Sequence, residues 1–219
     1  MIEALQHSLG KTGQESSLMT TAIILLQVTL LSLFFTACGS GSRDNEVIIS
    51  VEDQKMLLVN KGKPVRTYPV STSKFGLGSK NGSMCTPLGH MEVAKKIGGG
   101  APAGTVFKSR ERTGEVLRVN APGRDPIVSR ILWLNGKQGS NRNTFSRLIY
   151  IHGTPEERHI GYKASYGCIR MKSRDVIHVY RELAVGSKVH IIRGPLSSNA
   201  IASHSYAARK EGYQPPAGN

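Results

Sequence analysis

Between residues 47 and 153 short apolar stretches alternate with Gly, Asn and Pro punctuation, and no long apolar repeat at helical spacing runs through the span. This pattern excludes a helical bundle and predicts short strands joined by tight turns. VIISVEDQKMLLV, residues 47–59, reads as two strands with Glu52 and Asp53 near the turn, and NKGK, residues 60–63, as the next turn. PVRTYPVSTSKFG leads from a strand into a polar, glycine-rich loop, GLGSKNGSMCTPLG, residues 76–89. HMEVAKKIG, IVSRILWLNG and FSRLIYIHG are further strand candidates, with GKQGSNRN a loop between the last two.

One helix is predicted after this run. Val176, Val179, Tyr180 and Leu183 recur at i, i+3, i+4 and i+7, with Ser173 placed to cap the start and Gly186 to end it. VHII, residues 189–192, then closes as a strand, and from Pro195 the composition turns to that of a loose tail. The expected compact unit is residues 47–194: all-β for the most part, with one short helix. GGGAPAG, residues 98–104, lacks the GK[ST] and the strand–loop–helix setting of a phosphate loop.

The N-terminal segment points to export. AIILLQVTLLSLFF is an uncharged apolar run of 14 residues, short for a membrane span and suited to a signal-peptide core. FTACGS follows, residues 35–40, and resembles a lipoprotein signal in which Ala37 precedes a lipidated Cys38. The expected organisation is a signal peptide over residues 1–37, a lipidated polar linker over 38–46, the domain over 47–194 and a flexible tail over 195–219. A lipid on Cys38 implies a periplasmic domain anchored to a membrane, and Gly39 is compatible with outer-membrane sorting. Lys and Arg number 29 against 15 Asp and Glu, a net charge of +14, which suits an anionic polymer or membrane surface. No helix-turn-helix or finger pattern points to nucleic acid.

With Cys38 lipidated, Cys85 and Cys168 remain, either paired or free. A cysteine kept free outside the cytosol calls for a reason, and a catalytic thiolate is one. Cys168 alone reads equally well as a buried hydrophobe, and His152, at the end of an apolar strand, as a satisfied core histidine. Together they read differently. They lie sixteen residues apart, a separation that suits neighbouring strand ends joined by a loop, and a thiol nucleophile needs a base. Gly167 lets a substrate approach backbone N–H donors that stabilise an oxyanion. Arg170, two positions on, falls on the Cys168 side of an extended segment, where a guanidinium can hold a carboxylate or a surface ion pair. A metal site joining Cys168 and His152 to His159 or His90 fits no zinc spacing, so no metal or other cofactor is expected.

IHGT at residues 151–154, Ile160–Gly161, and ASYGCIRM at residues 164–171 resemble the signature of the YkuD-type L,D-transpeptidase family, and TPLG at residues 86–89 resembles that family's upstream turn. The resemblance covers about residues 47–193. It implies a β-sandwich of mixed sheets, Cys168 as the acyl-accepting nucleophile, and His152 as general base and then acid. It implies a main-chain carbonyl near the Ser-x-Gly segment holding the other ring nitrogen of His152. The Gly167 and Cys168 N–H groups would serve the oxyanion, Tyr166 would contribute there, Ser165 would orient the loop, and Arg170 would stabilise the site or contact a substrate carboxylate. Tyr166 stands where the family usually has histidine, which puts rate or donor preference in question and leaves the base in place.

The function that follows from the resemblance is transfer of a peptidoglycan tetrapeptide stem to an amine with loss of D-alanine. The acceptor is another stem, giving a 3→3 crosslink, or a lysine of a wall-attached lipoprotein. With water as acceptor the same chemistry is that of an L,D-carboxypeptidase, and a domain that only binds the wall is the non-catalytic alternative. A catalytic thiol with a lowered pKa would be expected to react fast with electrophiles at neutral pH.

Overall fold

The computed structural model describes residues 41–197; Cys38, its lipidation and most of the tail lie outside them. The strands are β1 (Asn45–Ser50), β2 (Lys55–Asn60), β3 (Lys63–Pro69), β4 (Gly89–Ile97), β5 (Thr105–Lys108), β6 (Glu111–Val116), β7 (Ile127–Gly136), β8 (Tyr150–Gly153), β9 (Ile169–Met171) and β10 (Lys188–Ile192). One α-helix, α1 (Ser173–Glu182), and one 3-10 turn (Glu157–His159) complete the domain. Among the described residues no helix is long and apolar enough to cross a membrane.

The strands form one mixed, branched sheet in the order β3-β2-β1-β10-β4-β7-β5-β6, with β8 and β9 leaving as a second branch from β7. β1–β10 and β8–β9 run parallel and the other pairs antiparallel. The branch forms because β7 is longer than either partner. On one edge its first residues pair with β5, Val106 opposite Val128, and Ile131–Gly136 pair with β4, while β8 lines the other edge, Gly153 opposite Val128 and Tyr150 opposite Trp133. Ser129 lies at the bend with φ +69°, where the β7–β8 register shifts, as in a β-bulge. Its hydroxyl donates to Ser173 Oγ at 2.8 Å, tying the bend to the start of α1.

Alternation then divides the side chains. Val47, Ile49, Leu132, Leu134, Ile151, Ile169, Val189 and Ile191 turn to the main core, where Val176, Val179 and Leu183 from the helical segment meet them, all fully or almost fully buried. The opposite face of β7 and β8 carries a smaller cluster of Ile131, Trp133, Tyr150, Phe107 and Ala101, and Cys168 packs against it. The mostly-β sandwich with one short helix is therefore the architecture observed.

Several expected boundaries move. Ser173 does not cap α1: Lys172 holds that position without a side-chain bond, and the Ser173 N–H donates to Glu157 Oε1 at 2.8 Å, so a carboxylate from the 3-10 turn serves the positive helix end. The helix ends at Glu182, before Gly186, which sits in the following turn. The strand expected over FSRLIYIHG begins only at Tyr150; Phe145–Leu148 is a turn in which Phe145 stacks on Trp133, with ring centroids 4.0 Å apart. Asn45 and Glu46, expected in the linker, already belong to β1. Leu196, expected in the tail, packs beside Ile192 and donates its N–H to Asp53.

Candidate active site

The register of β7, β8 and β9 builds the site. Ile151 is level with Ile169 and His152 with Arg170. Since paired residues share a face, and Ile151 and Ile169 both enter the main core, Tyr150, His152, Cys168 and Arg170 project together from the other face. Cys168 sits just before β9, beside Tyr150, whose N–H donates to its sulfur at 3.4 Å; the thiol reaches Leu148 O at 3.4 Å. His152 and Cys168 are diagonal neighbours on this face, with no hydrogen bond between them.

His152 is 7% exposed, and its Nδ1 lies 2.8 Å from Gly153 O. A carbonyl only accepts, so Nδ1 carries the proton and Nε2 of the neutral ring has the lone pair. The carbonyl comes from the residue next to the histidine, not from the Ser-x-Gly segment. Burial pushes the His152 pKa down to about 4; the Gly153 bond opposes this, Arg170 lowers it further and Asp125 opposes. Burial pushes the Cys168 thiol up to about 11, against the Tyr150 N–H and the Arg147 charge. The expected lowered thiol pKa is thus reversed. At neutral pH the pair is a thiol and a neutral imidazole.

The loop before Cys168 is built to hold one shape. Ser165 Oγ donates to Cys168 O at 2.6 Å and accepts the Gly167 N–H at 3.3 Å. Gly167 has φ +117°, and a Cβ there would press on Ile149 at 3.3 Å and on the Met84 and Cys85 carbonyls at 3.4 Å. Its carbonyl accepts from Thr86 Oγ1 at 3.0 Å, which links the TPLG turn to the loop that carries Cys168. The Gly167 N–H points to Ser165 and not into open space. Tyr166 is 61% exposed at the rim, its hydroxyl 3.1 Å from Lys74 Nζ. It borders an open depression of about 340 Å³ with Asn81, Met84, Arg147 and Ile149.

Arg170 is buried and committed. It pairs with Asp125 at 2.6 Å and donates to Ala164 O and Thr154 Oγ1 at 3.1 and 3.0 Å. It braces the site, and its bonds do not reach toward the open depression. Cys85 and Cys168 are both free thiols; Cys85 Sγ contacts Phe75 O at 3.1 Å. No group of three or more His, Cys, Asp or Glu side chains among the described residues is placed to hold a metal ion.

Three contributors carried no sequence signal. Arg147 donates to Gly78 O, Ser83 Oγ and Cys85 O, tying the loop over residues 76–89 to the strand that leads to His152, and its charge acts on Cys168. Asp125 and Thr154 share a hydrogen bond and hold Arg170. Each is remote in sequence from its partner or sits in a motif that another residue explains.

The family model for the YkuD L,D-transpeptidase catalytic domain matches residues 44–191. The chain belongs to this L,D-transpeptidase family. It is 36% identical over 168 residues to a putative L,D-transpeptidase, YqjB, of Bacillus subtilis, covering 77% of this chain and 82% of that one. It is 24% identical over 158 residues to the probable L,D-transpeptidase YcfS of Escherichia coli, covering 70% of this chain and 46% of that one. Among solved structures, L,D-transpeptidase 3 of Mycobacterium tuberculosis aligns with TM-score 0.46 and 16% identity, over 68% of this chain and 61% of that one. The L,D-transpeptidase domain thus spans most of the Bacillus relative and about half of the Escherichia one.

Proposed function

We propose that this protein transfers a peptidoglycan tetrapeptide stem through an acyl-enzyme on Cys168. The observation that carries the reading is the β8–β9 register, which sets Cys168 and a base-competent His152 on one face of the sheet. The thiol attacks the carbonyl that follows the L-centre of the third stem residue. Its proton passes to His152 Nε2 as the S–C bond forms; the bond to D-alanine then breaks, and the imidazolium returns the proton to the leaving nitrogen. An amine of a second stem gives a 3→3 crosslink; a lysine of a wall-attached lipoprotein gives a tethered protein.

His152 and Cys168 are not in contact here, and catalytic hydrogen bonds of free enzymes commonly tighten only around substrate. Arg170 and Ser165 act by holding the loop, while the Cys168 N–H serves the oxyanion and Tyr166 stands at the rim. Lipidation at Cys38 fixes the domain at the periplasmic face of a membrane, close to the anionic wall that its basic charge suits.

The test is incubation of the purified protein and its Cys168→Ala variant with tetrapeptide muropeptides, followed by mass spectrometry. Dimers one D-alanine lighter than two monomers, absent from the variant, are the expected products. Tripeptide monomers alone would make the enzyme a carboxypeptidase. No product, with Cys168 reduced, would favour a wall-binding lipoprotein.

A further inference from the structure

The row of side chains that ends at Cys168 continues across the sheet. Lys95 on β4 is level with Trp133 on β7, and Trp133 with Tyr150 on β8, which touches the nucleophile. Above this row stands Arg110. Its guanidinium lies 5.2 Å from the centre of the Trp133 ring and faces the Tyr150 hydroxyl. Lys95 Nζ lies 5.6 Å from the same ring.

Two features set Arg110 apart. Ser109 and Arg110 form the two-residue turn between β5 and β6, with φ +51° and +72°. Hairpin turns of this shape favour Asn and Gly; side chains larger than these hold such angles at a cost and often mark functional positions. The turn aims a half-buried cation back over the sheet. Second, neither Arg110 nor Lys95 pairs with a carboxylate among the described residues. Arg170 is neutralised by Asp125, and Arg147 is spent on loop carbonyls and Ser83. Two uncompensated cations at one indole, one side chain from the nucleophile, favour an anionic ligand.

We propose that Arg110, held against Trp133 and Tyr150, is a specificity-determining residue that binds a carboxylate of the peptide donor beside Cys168. This rests on the transpeptidase reading above. The carboxylate is either the terminal one of the donor or the side-chain one of its third residue.

The experiment compares wild-type, Arg110→Gln and Arg110→Lys proteins, each carrying Cys85→Ser. Alkylation of Cys168 at pH 9 by iodoacetate and by iodoacetamide separates charge recognition from thiol reactivity. Arg110→Gln is expected to slow iodoacetate about tenfold relative to iodoacetamide, the size of one charge-assisted hydrogen bond, with Arg110→Lys close to wild type. An unchanged ratio of the two rates overturns the proposal, whatever the donor assay gives. With tetrapeptide donors, Arg110→Gln is expected to raise KM about tenfold and leave kcat within twofold. A donor amidated at the carboxylate that Arg110 binds loses this sensitivity, and a donor amidated at the other keeps it. If no donor acylates Cys168 the transpeptidase reading fails, and the alkylation ratio still decides whether Arg110 selects anions.

Discussion

Arg170 and Asp125 form an ion pair at 2.6 Å, with the Arg170 side chain 6% and the Asp125 side chain 30% exposed, and Arg170 is the register neighbour of His152. Asp125→Asn leaves a buried guanidinium without its counter-charge. Removing one partner of a fully buried pair costs roughly 3–5 kcal/mol, and partial exposure of Asp125 reduces this to about 1–3 kcal/mol. Asp125 also supports the charged form of His152 while Arg170 opposes it, so the variant makes His152 a weaker base. A lower unfolding midpoint in urea, a lower kcat and a restored kcat in Asp125→Glu are expected. An unchanged melt would show that water or Thr154 replaces the carboxylate.

His152 also ties stability to pH. Its pKa falls from 6.5 when unfolded to about 4 in the folded chain, so between these values the unfolded state binds the extra proton. Its contribution is therefore unpenalised above pH 6.5 and is lost as pH falls toward 4. At pH 5 the penalty is roughly 2 kcal/mol. Urea melts of wild type and His152→Gln at pH 7 and pH 5 measure it: the variant should lose less stability on acidification by about that amount. Parallel losses in the two proteins would mean that His152 is solvated in the folded state.

The proposed nucleophile and base, Cys168 and His152, could be picked out because a motif carries them and the strand that ends in His152 is apolar. The β5–β6 hairpin could not: residues 105–116 bury only Thr105, Val106 and Phe107, so no alternation marks them. Asp125 sits in a polar loop like many exposed acids, and only the folded chain shows that it faces Arg170. Nor did the motif disclose the protonation state. Cys168 looked like an activated thiolate by its neighbours, yet its high pKa comes from packing on Tyr150 and the Trp133 cluster, which a linear pattern does not encode.

That protonation state sets the rate of alkylation. With the Cys168 thiol at about 11, the thiolate is a small fraction at pH 7 and grows about tenfold per pH unit. In a Cys85→Ser background, the iodoacetamide rate should climb by roughly this factor for each unit between pH 7 and 9. A plateau over that range would indicate a thiolate–imidazolium pair already formed in the free enzyme.

Gly167→Ala tests the loop directly. The φ of +117° and the contacts awaiting a Cβ, with Ile149 and two carbonyls, make the substitution strained, at a cost of about 1–3 kcal/mol. Relief by movement of the loop would shift Cys168, so acylation should fall by at least about tenfold, more than a uniform loss of stability explains. Normal acylation with a normal melt would show that the loop adapts without moving the sulfur.

Tyr166→His restores the residue usual in the family, and the surroundings of Tyr166 allow it. The ring is 61% exposed, contacts Phe75 with centroids 5.5 Å apart and receives Lys74 at its hydroxyl. None of these contacts supports the main core or the bonds that Ser165 makes to Gly167 and Cys168. A surface change of this kind moves stability by about 0.5 kcal/mol or less. The proposed base, His152, is buried on β8 with its Nδ1 proton fixed on Gly153, and it is untouched by the change. Acylation at pH 7.5 is therefore expected within about threefold of wild type, an effect below 1 kcal/mol in the barrier. Lys74 lies 4.4 Å from the centre of the Tyr166 ring, and a neutral imidazole in place of that phenol gives it a weaker platform, so any change should appear in KM for the donor. A fall in kcat of a hundredfold with KM unchanged would instead place the Tyr166 hydroxyl on the reacting atoms.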